Sequence, residues 1–287
     1  MNLADFTAVT PPPGRVVLVG AGPGSADLLT LKAARLIAAA DWLVHDALVQ
    51  PEVVSLATRA RIICVGKRAG RKSTRQPEIN QTLVWCALQG GLVVRLKGGD
   101  PLLFARAQEE LAALREAGIA VEVVPGITTA QAAYAALAAP MTERGRRRCA
   151  VFATPQSAGA ATAGDGNDAG DGTGSARRLA PGAGLDVQWA RALVTAEGGA
   201  LYMASTVVGR TRATLLSLGM PANTPATWII NVSLPGQSVI STTLGELRTL
   251  PAELAGQPAL LLLGTAVPTP LHEPEPILEP ATATLSP

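Results

Sequence analysis

The chain has 287 residues, of which 48% are hydrophobic, 16% charged and 3% aromatic, and its net charge is only +2 at neutral pH. That length allows two modest domains or one large one, with a core filled mainly by Ala, Leu and Val, as in ordinary soluble α/β proteins. No apolar run reaches the roughly 18 to 20 residues of a membrane-spanning helix, and the start, MNLADFTAVTPPPG, lacks the basic and apolar regions of a secretory signal, so a cytoplasmic protein is expected.

Residues 1–14 read as a flexible segment. RVVLVG (15–20) then reads as a strand, DLLTLKAARLIAAA (27–40) as a helix with apolar residues three and four apart, and DWLVHD (41–46) as the next strand. The alternation continues with strands at 60–66, 91–100 and 120–126 and helices at 77–89 and 104–117. Five strands joined by helices predict a mostly parallel sheet covered on both faces, over 15–139.

A second unit is expected over 140–267, with the boundary near Ala139–Pro140. Its strand-like runs are CAVFAT (149–154), GALYMAS (199–205), TWIINVS (227–233), SVISTTL (238–244) and ALLLLG (259–264), with helices near 207–218 and 244–255. Their short, β-branched character predicts a second, partly antiparallel sheet. Residues 157–184 are rich in Gly, Ala and Asp with almost no large apolar side chain, so they read as a flexible surface insertion. The proline-rich 268–287 reads as a disordered tail.

Cys64, Cys86 and Cys149 are odd in number and far apart, with only His45 and His272 as possible helpers. They read as buried reduced thiols in strands and helices, and no metal site is expected.

The stretch VVLVGAGPGSADLLT (16–30) looks at first like a nucleotide-binding loop. A dinucleotide fingerprint needs G-x-G-x-x-G, whereas Gly20 and Gly22 are followed by Ser25 at the third place. A phosphate-neutralising lysine is missing, and Pro23 removes an N–H from the loop. The loop therefore reads either as built for close approach or as a plain strand-to-helix turn whose glycines permit positive φ. Similar loops follow strands at GGDP (98–101) and PGIT (125–128), and in an open α/β sheet such loops gather at the carboxyl edge, where ligands bind.

In their order and spacing, VGAGPGSADLLTLKA, HDALV, VGKRAGRKS, VVRLKGGDPLLFAR, VVPGITTA and LYMA resemble the uroporphyrinogen-III C-methyltransferases, S-adenosylmethionine-dependent tetrapyrrole methylases, over roughly residues 15 to 265. The resemblance implies two α/β domains of the tetrapyrrole methylase type, with a mostly parallel sheet first, a mixed sheet second and a cofactor cleft between them. It places the cofactor at Pro23, Gly98, Gly99, Asp100, Leu103, Thr128, Thr129, Met203 and Val232. Glycines at 98 and 99 would let main chain approach the ligand. Asp100 would accept hydrogen bonds from ribose hydroxyls or the methionine ammonium, unless it serves a turn or capping role instead. Met203 would pack against the adenine, unless it takes a core position in a strand.

The implied reaction moves methyl groups to C2 and C7 of uroporphyrinogen III, giving precorrin-2 and S-adenosylhomocysteine for sirohaem or cobalamin synthesis. Asp46 matches the family's proposed base, unless it only caps a strand end, and Lys67 matches its proposed proton donor, unless it serves only as an electrostatic contact to a substrate propionate. A homodimer is implied as well. With no long domain ahead of Val16, the dehydrogenase and ferrochelatase functions fused to some relatives are expected to be absent.

Charge distribution gives an independent indication. KRAGRKSTR (67–75) and ERGRRR (143–148) concentrate basic residues in a nearly neutral chain. Such segments suit a tetrapyrrole polycarboxylate, with Arg68, Arg71 and Arg144 as candidate substrate contacts. They would also suit RNA phosphates, and a related methylase branch modifies ribosomal RNA, but neither segment has an aromatic residue on which bases could stack, so a nucleic-acid partner is not expected. The same motifs would also serve a methylase of a later corrin precursor, or a non-catalytic homologue that only binds cofactor or tetrapyrrole.

Departures from the family pattern bear on the non-catalytic case. FGRGGEE is replaced by Phe104-Ala-Arg-Ala-Gln-Glu-Glu110, LTHRG by Met141-Thr-Glu-Arg-Gly145, TGH by Thr154-Pro-Gln156 and VEN by Ile229-Ile-Asn231. Ala107 and Gln108 are expected to narrow a loop near the cofactor, and Ile230 to remove a carboxylate from a cleft-facing strand.

Overall fold

The computed structural model describes residues 14–66, 74–145, 147–156 and 187–265. Except for Gly14, the segment 1–14 lies outside the described residues, as do the insertion 157–184 and the tail 268–287.

Five parallel strands, β1 (Arg15–Gly20), β2 (Trp42–His45), β3 (Arg61–Cys64), β4 (Leu92–Lys97) and β5 (Val121–Val124), form a sheet in the order β3-β2-β4-β1-β5. Helices α1 (Leu31–Ala39) and α2 (Pro51–Ser55) cover one face, and α3 (Gln76–Leu88) and α4 (Ala107–Glu116) the other. Right-handed crossovers require this division, because the chain steps outward from β1 to β3 and then returns toward β5. The strands are accordingly apolar on both sides: Val16 and Leu18 pack toward α3 and α4, and Val17 and Val19 toward α1.

The second sheet contains β6 (Phe152–Ala153), β7 (Gly199–Leu201), β8 (Pro225–Ile230), β9 (Ser238–Thr243) and β10 (Ala259–Leu263) in the order β6-β7-β10-β8-β9. Only β6 and β7 pair in parallel, so the sheet is mixed, as its short β-branched runs predict. Helices α6 (Gln188–Thr195) and α7 (Val208–Ser217) pack on one face with Trp228, Ile230 and Leu261. The other face receives α5 (Thr129–Ala136), whose alanines meet Ala200, Ile229, Leu260 and Leu262.

Several expectations need correction. The first helix starts at Leu31 instead of Asp27, because Thr30 Oγ1 accepts the Ala33 N–H at 3.1 Å and residues 26–28 form a separate tight turn capped by Ser25. No α-helix spans 244–255; this stretch holds turns and a short 3₁₀ segment after Pro251, which disfavours helical backbone at Leu250. Helices α2, α5 and α6 are additions that the sequence pattern does not announce. Of the cysteines, only Cys86 is a buried helical thiol, and burial pushes it up to about 11. Cys64 is half-buried, and Cys149 is exposed ahead of β6.

The loops after β1, β4 and β5 touch through their backbones. Gly22 and Gly99 form an isolated antiparallel bridge, with N···O distances of 3.2 and 2.7 Å. A Cβ on Gly20 or Gly126 would come within 3.0 Å of the Gly99 carbonyl oxygen. Gly126→Ala is therefore expected to destabilise the protein by about 1–3 kcal/mol, read as a lower urea midpoint. Gly209→Ala, in α7 with open space around it, should raise stability by up to about 1 kcal/mol, read as a higher midpoint. An unchanged midpoint for Gly126→Ala would mean that the loops do not meet this closely.

Candidate active site

The carboxyl ends of β1, β4 and β5 face the loops after β7 and β8 across a cleft of about 480 Å³. Pro23, Gly98, Gly99, Asp100, Leu103, Thr128, Thr129, Met203 and Val232 all line it, and so does Asp46. Ten positions scattered between residues 23 and 232 thus share one cavity.

The glycines serve different purposes. Gly99 has φ +66° and forms the bridge to Gly22. Gly24 lets the first loop approach Leu234, and a hydrogen bond of 3.1 Å from Ser25 N–H to Ser233 Oγ joins the two sides of the cleft. Gly98 differs from these: a Cβ there would meet no atom of the described residues within 4 Å, so its α-carbon stands open to the cleft it lines.

Asp100 takes the capping role. Its Oδ1 accepts the Leu102 N–H at 2.8 Å and its Oδ2 the Gly126 N–H at 3.0 Å, tying the β4 loop to the β5 loop. Each carboxylate oxygen keeps a second lone pair, so capping and ligand binding are compatible at Asp100.

On the opposite wall, Met203 lies beyond β7 in a left-handed turn with φ +56° and is 47% exposed, which excludes the core position. Phe104 (φ +51°) and Asn231 (φ +52°) also line the cleft in this disfavoured region, each at a cost of roughly 1–3 kcal/mol. Asn231 is held by the Pro258 carbonyl at 2.9 Å and by Gln257 Oε1 at 2.6 Å. Tyr202 shares a 2.5 Å hydrogen bond with Thr128 Oγ1 and accepts the Ala130 N–H at 3.0 Å, capping α5 from the other sheet. Burial is the main cause that raises the Tyr202 phenol above its ordinary range, so it stays neutral. The Phe104 ring leans on it with centroids 5.1 Å apart.

Beneath the floor lies a charged cluster that the sequence pattern does not single out. Arg95 and Lys97 are 1% and 3% exposed, and both bond Glu110 Oε1: Arg95 through Nε at 3.1 Å and Nη2 at 3.0 Å, Lys97 through Nζ at 2.8 Å. Arg95 Nη2 also reaches Asp46 Oδ1 at 2.7 Å. Burial, followed by the neighbouring Arg95 charge, holds the Lys97 ammonium below the usual lysine range, with Glu110 and Asp46 pulling the other way. A signal was available in VVRLK: two cations two residues apart share one face of a buried strand and require an anion opposite. Phe104, Tyr202, Asn231 and Gln257 had no comparable signal.

The basic segments are divided. Lys67, Arg68 and Arg71 lie outside the described residues, although Gly66, just before them, packs so tightly on Ala47 that a Cβ there would clash with its backbone. Arg144 is exposed on a turn and does not line the cleft, while Arg147 turns inward to the Gly264 carbonyl and to Thr265 Oγ1. The departures also fall differently from expectation. Ala107 and Gln108 belong to the first turn of α4, with Ala107 buried in the core, and Ile230 points into the core against α6 and α7. Alternation along β8 turns Ile230 away from the cleft.

The model of the tetrapyrrole (corrin/porphyrin) methylases matches residues 15–248. The siroheme synthase of Zymomonas mobilis is 40% identical over 255 residues, which are 88% of this chain and 49% of that protein. Siroheme synthase 1 of Klebsiella pneumoniae is 40% identical over 259 residues, with the same shares. The chain spans about half the length of these curated relatives. The crystal structure of uroporphyrin-III C-methyltransferase from Thermus thermophilus, complexed with S-adenosylhomocysteine, has a TM-score of 0.67 at 31% identity and covers 88% of this chain and 97% of its own. A cobalt precorrin-4 methyltransferase structure, 23% identical with a TM-score of 0.68, covers 87% and 94% and shares the fold. The family match runs from β1 past β9, through both sheets and most of the loops that build the cleft, and the chain belongs to the tetrapyrrole (corrin/porphyrin) methylase family.

Proposed function

We propose that this chain is an S-adenosylmethionine-dependent C-methyltransferase that methylates uroporphyrinogen III at C2 and C7, giving precorrin-2 for sirohaem or cobalamin synthesis. It works as a cytoplasmic homodimer whose two α/β units divide near Ala139–Pro140. The observation that carries this reading is the single cleft holding the nine expected cofactor positions together with Asp46. The 31% identity to a uroporphyrin-III C-methyltransferase solved with S-adenosylhomocysteine supports it. Among the described residues, no helix is long and apolar enough to cross a membrane.

The residues present fit S-adenosylmethionine. Gly98 leaves room for a ligand at its α-carbon, Asp100 offers carboxylate lone pairs to hydroxyl or ammonium donors, and Met203 and Val232 supply an apolar wall. When bound, S-adenosylmethionine supplies an electrophilic methyl that an electron-rich pyrrole takes up directly. Two tasks remain for the chain: aligning the partners and accepting the proton that the methylated ring sheds. Asp46 suits the second task. Arg95 occupies its Oδ1, no described residue bonds its Oδ2, and the side chain is 33% exposed on the cleft. Phe104 and Tyr202 give one side of the cavity an aromatic wall. In this reading Lys67 keeps the proton-donor role that the resemblance implies, and Arg68 and Arg71 meet substrate carboxylates.

Anaerobic incubation with S-adenosylmethionine and enzymatically generated uroporphyrinogen III should give a dimethylated product by mass spectrometry. No methyl transfer despite measured cofactor binding would reject the substrate. Asp46→Asn should keep cofactor affinity in calorimetry while turnover falls by about 10²–10⁴-fold; wild-type turnover would remove Asp46 from the chemistry. Gly98→Val should leave the urea midpoint in place yet weaken cofactor binding by about tenfold or more. Unchanged affinity would place the cofactor away from β4.

A further inference from the structure

Charges alternate along Lys97, Glu110, Arg95 and Asp46, and both ends of the series line the cleft. Glu110 is fully buried, and its Oε1 accepts from both Arg95 and Lys97, while Oε2 has no partner among the described residues. Arg95 is fixed as a fork: Nε and Nη2 converge on Glu110, and Nη1 donates to the Leu96 carbonyl at 3.3 Å. Asp46 is the exposed member, with 33% of its side chain open against 4% or less for the other three.

We propose that Arg95, Glu110 and Lys97 are positioning residues that fix the direction of the Asp46 carboxylate. This rests on the reading of Asp46 as proton acceptor. Stability alone is a poor reason for such a cluster, because well-packed apolar residues replace buried ion pairs at little or no loss. The cluster does what apolar residues cannot: it divides one arginine between a buried carboxylate and the cleft carboxylate. Lys97 and Arg95 on β4 hold Glu110 of α4 between them, and Glu110 in turn aims the guanidinium whose Nη2 meets Asp46 Oδ1 at 2.7 Å. Removing Arg95 leaves the Asp46 carboxylate without its described side-chain partner, and removing the Glu110 charge leaves Arg95 without the anion that aims it.

The experiment is a double-mutant cycle on turnover of the full chain, with cofactor affinity read by calorimetry and folding by the urea midpoint. Arg95→Met should lower kcat by about tenfold or more while cofactor affinity stays constant. In the Asp46→Asn background the same change should cost almost nothing further, because the carboxylate it aims is gone. Arg95→Lys, which keeps the charge and loses the fork, should recover only part of the loss. Glu110→Gln leaves two buried cations without an anion; if it fails to fold, the Arg95 variants carry the test. Wild-type kcat in Arg95→Met, or losses that add in the double variant, overturn the proposal while leaving Asp46 as the base. Wild-type turnover in Asp46→Asn rejects Asp46 as the base and the proposal with it.

Discussion

Two cations on the central strand of a sheet covered on both faces oblige the molecule to bury an anion beside them. Arg95 and Lys97 occupy that strand, and Glu110 is the anion. Removing one partner from such a cluster costs on the order of 3–5 kcal/mol, so α4 has little freedom in how it docks. Glu110 lies in the first turn of α4, where the helix dipole also favours a carboxylate. The chain must therefore leave β4, make a tight turn and begin α4 at one register, and the left-handed residues Phe104 and Arg106 belong to that turn. Much of the cleft's floor and one of its lips follow from this ion cluster.

The remaining lips are fixed by backbone contact. The first-sheet loops approach closely enough that side chains at Gly20 or Gly126 would collide with the Gly99 carbonyl, and Asp100 ties two of these loops together through main-chain N–H groups. Across the cleft, Tyr202 caps α5, a helix that continues from the first sheet yet packs on the second. This phenol ties the two walls together through Thr128 Oγ1 and the Ala130 N–H. Strain at Phe104, Met203 and Asn231 is concentrated where these contacts over-determine the backbone.

The parallel sheet was readable because its strands are apolar on both faces and alternate with amphipathic helices, a pattern that leaves few topologies. The second sheet was readable in outline from its short β-branched runs. Helix α5 was not, because TAQAAYAA gives weak periodicity when alanines meet neighbours on several sides. Residues 244–255 misled for the opposite reason: Leu244, Leu247, Leu250 and Leu254 repeat at helical spacing and all pack on the core, but Pro251 and the turn hydrogen bonds deliver them without a helix. At the site, ligand-facing loops carried motifs, whereas Arg95, Glu110 and Tyr202 act through partners far apart in the chain, which spacing does not display.

The departures from the family pattern become intelligible once they are placed. Alanine and glutamine at 107 and 108 stand inside the first turn of α4, where they favour helix over the glycines they replace and leave the Glu110 register intact. Ile230 adds apolar area to the core between the second sheet and its helices. Pro155 and Gln156 are recruited locally, the first through its carbonyl to Arg210 at 3.1 Å and the second by bonding the Met203 carbonyl at 3.3 Å. Three of these changes thus act on helix, core or turn, and one helps hold a strained cleft residue in place.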